Sequence, residues 1–285
     1  LLVKQLFKEN YLLPIPHPTL YTLETLTNIH SKLLNRDTVV DIFLPPAYKK
    51  DEKKYPILIL NDGQDSKAIR LKEMLELLWG VSEIEDVIVV GVHAGDRMQE
   101  YGVARKPDFK QRGSKAKNYS RFIMTELIPY LEYQYSITPD PAKHAIAGFS
   151  LGGLSAVDIA WHHNYFQKVG AFSGSFWWRK RDTASRFYSD QHDRIMHQQI
   201  RQGRFQPGLK FWFQTGLKDE ASDRNKNGVI DSIDDTLDLI VELTKKGYRP
   251  FHDIHYLEFE DGEHNLQTWS KAMPEFLKWA FPKIN

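Results

Sequence analysis

A three-layer α/β/α sandwich around a mostly parallel central sheet is the fold class that the sequence predicts. Three observations carry it. Short, uninterrupted apolar runs recur along the chain; stretches with helical spacing separate them; a β-branched hairpin precedes both. A run that is apolar at every position belongs to a strand covered on both faces, as in a parallel sheet flanked by helices. The 285 residues suffice for one such domain spanning 1–285, and nothing in the chain reads as a linker, a repeat or a low-complexity segment.

The elements follow in order. Pro14 to Pro18 predicts irregular backbone. Thr22 to Ile29 alternates loosely and Thr38 to Phe43 is β-branched, so the two read as an antiparallel hairpin turning near Asn35 and Arg36. Tyr55 to Leu60 and Val87 to Val92 read as buried strands, with a helix over Lys67 to Leu78 between them. Tyr119 to Tyr133 carries an apolar stripe at 123, 124, 127, 128 and 131, with Pro129 as a kink. His144 to Ala147 is a short strand and Leu151 to Trp161 a helix. Lys168 to Phe172, Lys210 to Gln214 and Asp253 to Phe259 are the later strands. Asp235 to Lys246 and Trp269 to Phe281 are the later helices. Ser175 to Pro207 is polar and lacks a clear period. Its core, residues 179–207, is expected to be an insertion that covers the site or a solvated surface.

Composition removes several classes of function. The 38 Lys and Arg nearly balance the 37 Asp and Glu, and no basic block reads as a nucleic-acid tail. Cysteine is absent, which excludes thiol nucleophiles, disulfides and thiolate metal sites. No apolar run reaches the length of a membrane span. The chain begins at Leu1 rather than Met, which predicts a trimmed N-terminus. A periplasmic or secreted location is weakly favoured over a cytoplasmic one. Oligomeric state is left open.

Gly148-Phe149-Ser150-Leu151-Gly152 fits G-x-S-x-G between a strand and a helix. That spacing places a serine on a sharp turn, with glycines leaving room around it. Ser150 is therefore the candidate nucleophile, and the Leu151 N–H faces the place where an oxyanion would form. A serine needs a base. Among His162, His163, His192, His197, His252, His255 and His264, only His264 lies in a loop between the last strand and the last helix. The acid is expected after the strand Lys210 to Gln214, where Asp219 is the first choice and Glu220 the runner-up. Asn61-Asp62-Gly63-Gln64 follows a central strand, and the Gln64 N–H is the second oxyanion candidate. Arg97, Phe149, Trp177 and Trp178 are the substrate-contact candidates. For these, core packing or an ion pair is the competing explanation.

Residues 223–234 have the oxygen spacing of an EF-hand-type calcium loop. Asp223, Asn225, Asn227, the Val229 carbonyl, Asp231 and Asp234 are the candidate ligands, with Gly228 at the sharp turn. A polar Asn-Gly loop capping the next helix explains the same residues. The expected chemistry itself requires no cofactor, so calcium would be structural.

Several segments together resemble the esterase family of the α/β-hydrolases that includes enterochelin, feruloyl and acetyl-xylan esterases. They are Asp62-Gly63-Gln64; Arg97 with Glu100-Tyr101; Phe122 with Glu126-Leu127-Ile128-Pro129-Tyr130; Ala147 to Gly153; and Ser173-Gly174-Ser175-Phe176-Trp177-Trp178. The last is especially similar to the enterochelin-esterase-like branch. The resemblance spans about Thr38 to Phe281. It implies an α/β-hydrolase fold, a bacterial origin and an acid three residues beyond Gly216, at Asp219. It implies hydrolysis of a small or carbohydrate-linked ester. The alternatives are a siderophore trilactone esterase, an acyltransferase or a non-catalytic binding relative. The insertion from Asp223 to Asp234 departs from the shorter family loop.

Overall fold

The computed structural model describes residues 21–46, 48–50 and 52–283; the Pro14 to Pro18 stretch lies outside them. The strands are β1 (Thr22–Ser31), β2 (Arg36–Leu44), β3 (Ile57–Asn61), β4 (Ile88–Val92), β5 (His144–Phe149), β6 (Lys168–Phe172), β7 (Lys210–Lys218) and β8 (Ile254–Glu263). They form one sheet in the order β1-β2-β4-β3-β5-β6-β7-β8. The hairpin pairs antiparallel and β2 meets β4 antiparallel; every later pairing is parallel. The predicted three-layer sandwich with its N-terminal hairpin is the observed architecture.

The all-apolar strands behave as their pattern demands. Every residue of β3, β4 and β5 is buried. Successive side chains alternate between two cores. Ile57 and Ile59 join Val90, Ile146 and Leu154 on one face, while Leu58 and Leu60 join Phe172, Trp212 and Phe276 on the other.

The second core lies under α1 (Leu71–Gly80) and α9 (Leu266–Ala280). The first lies under α3 (Ala116–Phe122), α4 (Ile128–Gln134), α5 (Leu151–His162) and α8 (Asp231–Lys246). Smaller helices are α2 (Arg97–Glu100), α6 (Asp190–Asp193) and α7 (Ile195–Gln202).

The helices differ from expectation in physically legible ways. Lys67 to Arg70 is turn rather than helix, because Arg70 takes a left-handed φ of 56° immediately before α1. The predicted 119–133 helix is longer, and a π-helical stretch, Ile123–Leu127, separates α3 from α4. Pro129, which has no N–H, stands at the start of α4, where the wider turn absorbs the missing donor. The polar segment is partly ordered as α6 and α7, with α7 packed on α8.

Phe276 shows how closely the second core is filled. Its ring stands edge-on to Phe172 and Trp212, and a Cβ on Gly170 would come within 2.5 Å of it. Phe276→Ala should cost about 3–5 kcal/mol of unfolding free energy, read as a lower urea midpoint at unchanged slope.

Candidate active site

β5 meets α5 at Ser150, whose backbone (φ 53°, ψ −116°) is one that non-glycine residues rarely adopt. Such strain costs about 1–3 kcal/mol and persists only where neighbours enforce it. Here the Ser150 N–H donates to the Phe172 carbonyl at 2.8 Å, and its carbonyl accepts from Gly153 and Ser175 at 3.1 Å. The glycines are needed for space. A Cβ on Gly148 would meet the Gly152 backbone at 2.4 Å, and one on Gly152 would lie 2.7 Å from Asp62 Oδ2. The Ser150 hydroxyl is thereby held at the start of α5, 3.1 Å from the Ser175 hydroxyl. Leu151 is the first residue of α5, so its N–H has no partner within the helix.

The end of β3 supplies the opposite wall. Asn61 donates from its amide to the Gly152 carbonyl at 2.8 Å and accepts the Tyr119 hydroxyl at 2.7 Å. Asp62 takes a left-handed φ of 62° and opens the tight 3₁₀ turn Gly63–Asp65 that contains Gln64. Gly63 is required because a Cβ there would lie 2.3 Å from the Gly91 carbonyl carbon. As the second residue of that turn, Gln64 also has an N–H without an intrahelical partner.

Asp62 is 1% exposed and is held by Arg97, which donates from Nε and Nη2 at 2.8 and 3.0 Å. Arg97 Nη2 also reaches the Phe149 carbonyl at 3.1 Å. The rest of the Arg97-x-x-Glu100-Tyr101 stretch serves the same corner. Glu100 pairs with Arg36 at 2.7 Å, and the Tyr101 hydroxyl accepts the Asp62 N–H at 2.9 Å. Glu100 is pulled below the usual carboxylate range by Arg36 and backbone N–H groups, against the burial that raises it.

His264 follows β8 directly. Its loop is fixed by reciprocal bonds: Asn265 caps α9 by accepting the Thr268 N–H at 3.0 Å, while Thr268 Oγ1 accepts the Glu263 N–H at 2.9 Å. The imidazole keeps an edge open to solvent, yet the protein packed around it lowers its pKa. Arg97 lowers it further, and Asp219 acts in the opposite sense.

Asp219 stands just after β7, whose backbone passes so close to β8 that a Cβ on Gly216 would lie 2.3 Å from the Gly262 carbonyl oxygen. That approach brings the Asp219 loop beside the His264 loop. Asp219 is buried, and burial raises its pKa. The Gly216 backbone, the Ser173 hydroxyl and His264 oppose the rise, although neither carboxylate oxygen completes a well-aligned hydrogen bond at rest. Glu220 points to a separate pocket of about 260 Å³ that it shares with Trp177, Arg112 and Arg179.

Ser150 and His264 line one cleft of about 580 Å³, together with Gln64, Asp65, Arg97, Asn265, Leu266, Gln267 and Trp269. Arg97 thus faces the cleft while its charge is already committed to Asp62. Three of the four expected contact residues do not line the cleft. Phe149 is 1% exposed because it lies on the second core, stacked on Trp269 and tilted against Phe172. Trp178 is fully buried, with its indole filling the space that Gly102 and Gly113 leave open and its N–H on the Lys106 carbonyl at 3.2 Å. Trp177 lines the separate pocket beneath the Arg112 guanidinium. None of the residues lining the Ser150 cleft comes from 179–207. Ser173 and Trp269 had no role assigned in the sequence, where Ser173 stood only as the start of the Ser173 to Trp178 resemblance and Trp269 as a helix position.

In the 223–234 loop, Asp223 accepts the N–H groups of Asn227 and Gly228, and the Asn225 and Asn227 amides meet Asp234 Oδ2 at 2.8 and 2.9 Å. Asp231 is engaged by Arg224 at 3.0 Å. Among the described residues, no three His, Cys, Asp or Glu side chains are grouped to hold a metal ion, and no helix is long and apolar enough to cross a membrane.

A strained serine at a strand-to-helix turn, on a sheet of this order, with a histidine after the last strand, defines a hydrolase of the α/β-hydrolase fold. The family model described as "Putative esterase" matches residues 31–280, and the chain belongs to that family. It is a serine-type carboxylic ester hydrolase. The chain is 23% identical to the uncharacterized protein YbbA of Bacillus subtilis (strain 168), over 85% of this chain and 92% of that one. Among solved structures, a ferulic acid esterase superposes with a TM-score of 0.67 at 20% identity, covering 92% of this chain and 97% of its own. The enterobactin esterase FES from Shigella flexneri superposes with a TM-score of 0.67 at 19% identity; 93% of this chain matches 60% of that enzyme. These likenesses describe the fold.

Asp62 is the buried carboxylate on which the corner closes. Asp62→Ala leaves Arg97 without its counter-ion and should cost about 1–3 kcal/mol, measured by urea denaturation. Asp86→Ala, which removes an exposed pair with Lys53, is the control and should cost under about 1 kcal/mol.

Proposed function

We propose that the chain hydrolyses small, hydroxyl-rich esters, carbohydrate-linked esters foremost, through Ser150, His264 and Asp219. The observation that carries the reading is the cleft shared by Ser150 and His264, which Gln64 also lines. His264 takes the Ser150 proton as Oγ attacks the ester carbonyl. The Leu151 and Gln64 N–H groups receive the negative oxygen. The tetrahedral adduct collapses, His264 hands its proton to the departing alcohol, and an acyl-enzyme remains. Water then repeats the sequence, with His264 as base and Ser150 as leaving group. Asp219 holds the imidazole in the tautomer that faces serine. The substrate class is supported by the lining: the Asp65 carboxyl and the Gln267 amide border the cleft and suit hydroxyl groups.

p-Nitrophenyl acetate should release a burst of nitrophenol equal to the enzyme concentration, and Ser150→Ala should abolish it. A mutant with full turnover refutes the assignment. The sign of the pH dependence follows from His264. Its pKa lies below the ordinary histidine value, so the free base predominates at neutral pH and kcat/KM falls only on acidification through that lowered value. An acid limb at or above the ordinary value would contradict this.

Acetylated xylan, feruloylated sugars and a catecholate trilactone, assayed with Ser150→Ala as blank, rank the substrates. Product analysis with added alcohols separates hydrolysis from acyl transfer. For the 223–234 loop we propose a structural calcium ion, supported by the ligand spacing. Millimolar calcium should then raise the Tm of chelator-treated protein; an unchanged Tm and no heat of binding in calorimetry would rule it out.

A further inference from the structure

A second hydroxyl stands against the nucleophile: Ser175 Oγ lies 3.1 Å from Ser150 Oγ. The turn that follows β6 puts it there. The Ser173 N–H is secured on the Gln214 carbonyl at 2.7 Å, the Phe176 N–H on the Gly174 carbonyl at 2.7 Å and the Trp178 N–H on the Ser175 carbonyl at 3.1 Å. Gly174 permits the tight path, since a Cβ there would come within 2.6 Å of the Phe176 ring. Phe176 and Trp178, both fully buried, anchor the far end. The Ser175 N–H donates to the Ser150 carbonyl at 3.1 Å, so the bond that braces the elbow is a main-chain bond, open to any residue with an N–H. The hydroxyl is a separate matter. Ser175 is 1% exposed, and among the described residues the one hydrogen bond of its Oγ is to Ser150 Oγ. A buried hydroxyl carries a desolvation cost, and here its sole contact is the reacting atom.

Either hydroxyl can donate to the other at rest. The Ser150 proton is the one that the base takes, so during the reaction only the Ser175 proton can lie between the two oxygens. Ser150 Oγ gathers negative charge at that moment, and a hydrogen bond to a charged oxygen is stronger than one to a neutral oxygen. Ser175 is not among the residues that line the cleft, so it meets the nucleophile from the protein side and not the substrate.

We propose that Ser175 is a further catalytic residue, whose hydroxyl donates to Ser150 Oγ as that oxygen loses its proton and again as it leaves the acyl-enzyme. The inference rests on the reading of Ser150 and His264 given above. In acylation the Ser150 proton passes to His264, an Oγ electron pair forms the bond to the ester carbon, and the carbonyl π pair moves to its oxygen. In deacylation the bond from the acyl carbon to Ser150 Oγ breaks, its electron pair returns to Oγ, and His264 returns the proton. Ser175 keeps its own proton throughout. Its donation stabilises charge on one atom in both half-reactions, so both rates gain and KM is little affected.

The test is Ser175→Ala with p-nitrophenyl acetate in stopped flow. The burst rate and the steady-state rate should each fall roughly tenfold, the worth of one hydrogen bond to a charged group. The burst amplitude should still equal the enzyme concentration, and the Tm should hold or rise. Ser175→Gly, which also lacks the hydroxyl, should show the same two losses. Wild-type burst and steady-state rates in both variants, with Ser150→Ala inactive, would overturn the proposal. So would rates that fall only together with the Tm and the burst amplitude, which marks a purely structural serine. Full activity in Ser150→Ala would instead overturn the reading of the site itself.

Discussion

The Asp62–Arg97 ion pair is the contact on which the active corner depends. It joins three chain segments that share no local sequence: the end of β3, the helix α2 and the last residue of β5 through the Phe149 carbonyl. A buried carboxylate is costly unless it is paired and saturated with donors. Asp62 receives Arg97 and the Gln64 amide, and its own N–H is spent on Tyr101. The same oxygens crowd the space above Gly152. Ion pair and elbow therefore limit each other: the carboxylate excludes any side chain at 152, and the glycine allows the carboxylate to approach. The 3₁₀ turn that aims the Gln64 N–H is set by a residue, Asp62, whose left-handed backbone this arrangement enforces.

Much of this was legible in the sequence because its causes are local. A run such as Ile57 to Leu60 has no polar residue to turn toward solvent, so it can only be a strand covered on both faces. The glycines around Ser150 announce a close backbone approach. Side-chain destinations were less legible. Phe149 and Trp178 lie beside reactive-looking motifs, and proximity along the chain suggested the pocket. Strand alternation sends Phe149 to the second core, and two distant glycines, Gly102 and Gly113, prepare the space for Trp178. Ser173 and Trp269, 96 positions apart, meet only in the fold.

Burial acts on the proposed acid and base in a common direction. It disfavours charge on both, raising Asp219 and lowering His264. A pair poised in this way resists protonation of the imidazole at rest, while its mutual attraction grows once the proton arrives, since charges interact more strongly where water is scarce. The proposal of Asp219 rather than Glu220 rests on the same consideration. Glu220 lines a pocket whose cations have other neighbours, whereas the Asp219 and His264 charges act on each other.

The polar segment 175–207 resisted a simple reading because its partners lie far along the chain, in the 223–234 insertion and in α8. Arg224 of the insertion binds Asp190 at 2.9 Å, Asp231 at 3.0 Å and Asp235 at 2.6 Å. Arg194, at the start of α7, binds Asp235 at 2.8 Å and Asp238 at 2.7 Å. Helices held by such a network need no continuous apolar stripe, so their periodicity in the sequence is weak. A buried network of this kind adds little net stability over an apolar core, but removing one member strands the others. Its effect is to fix geometry: these charges tie α7 and α8 to the loop that follows Asp219. That network lies on the face of the sheet opposite α9, whose Trp269 meets the His264 ring.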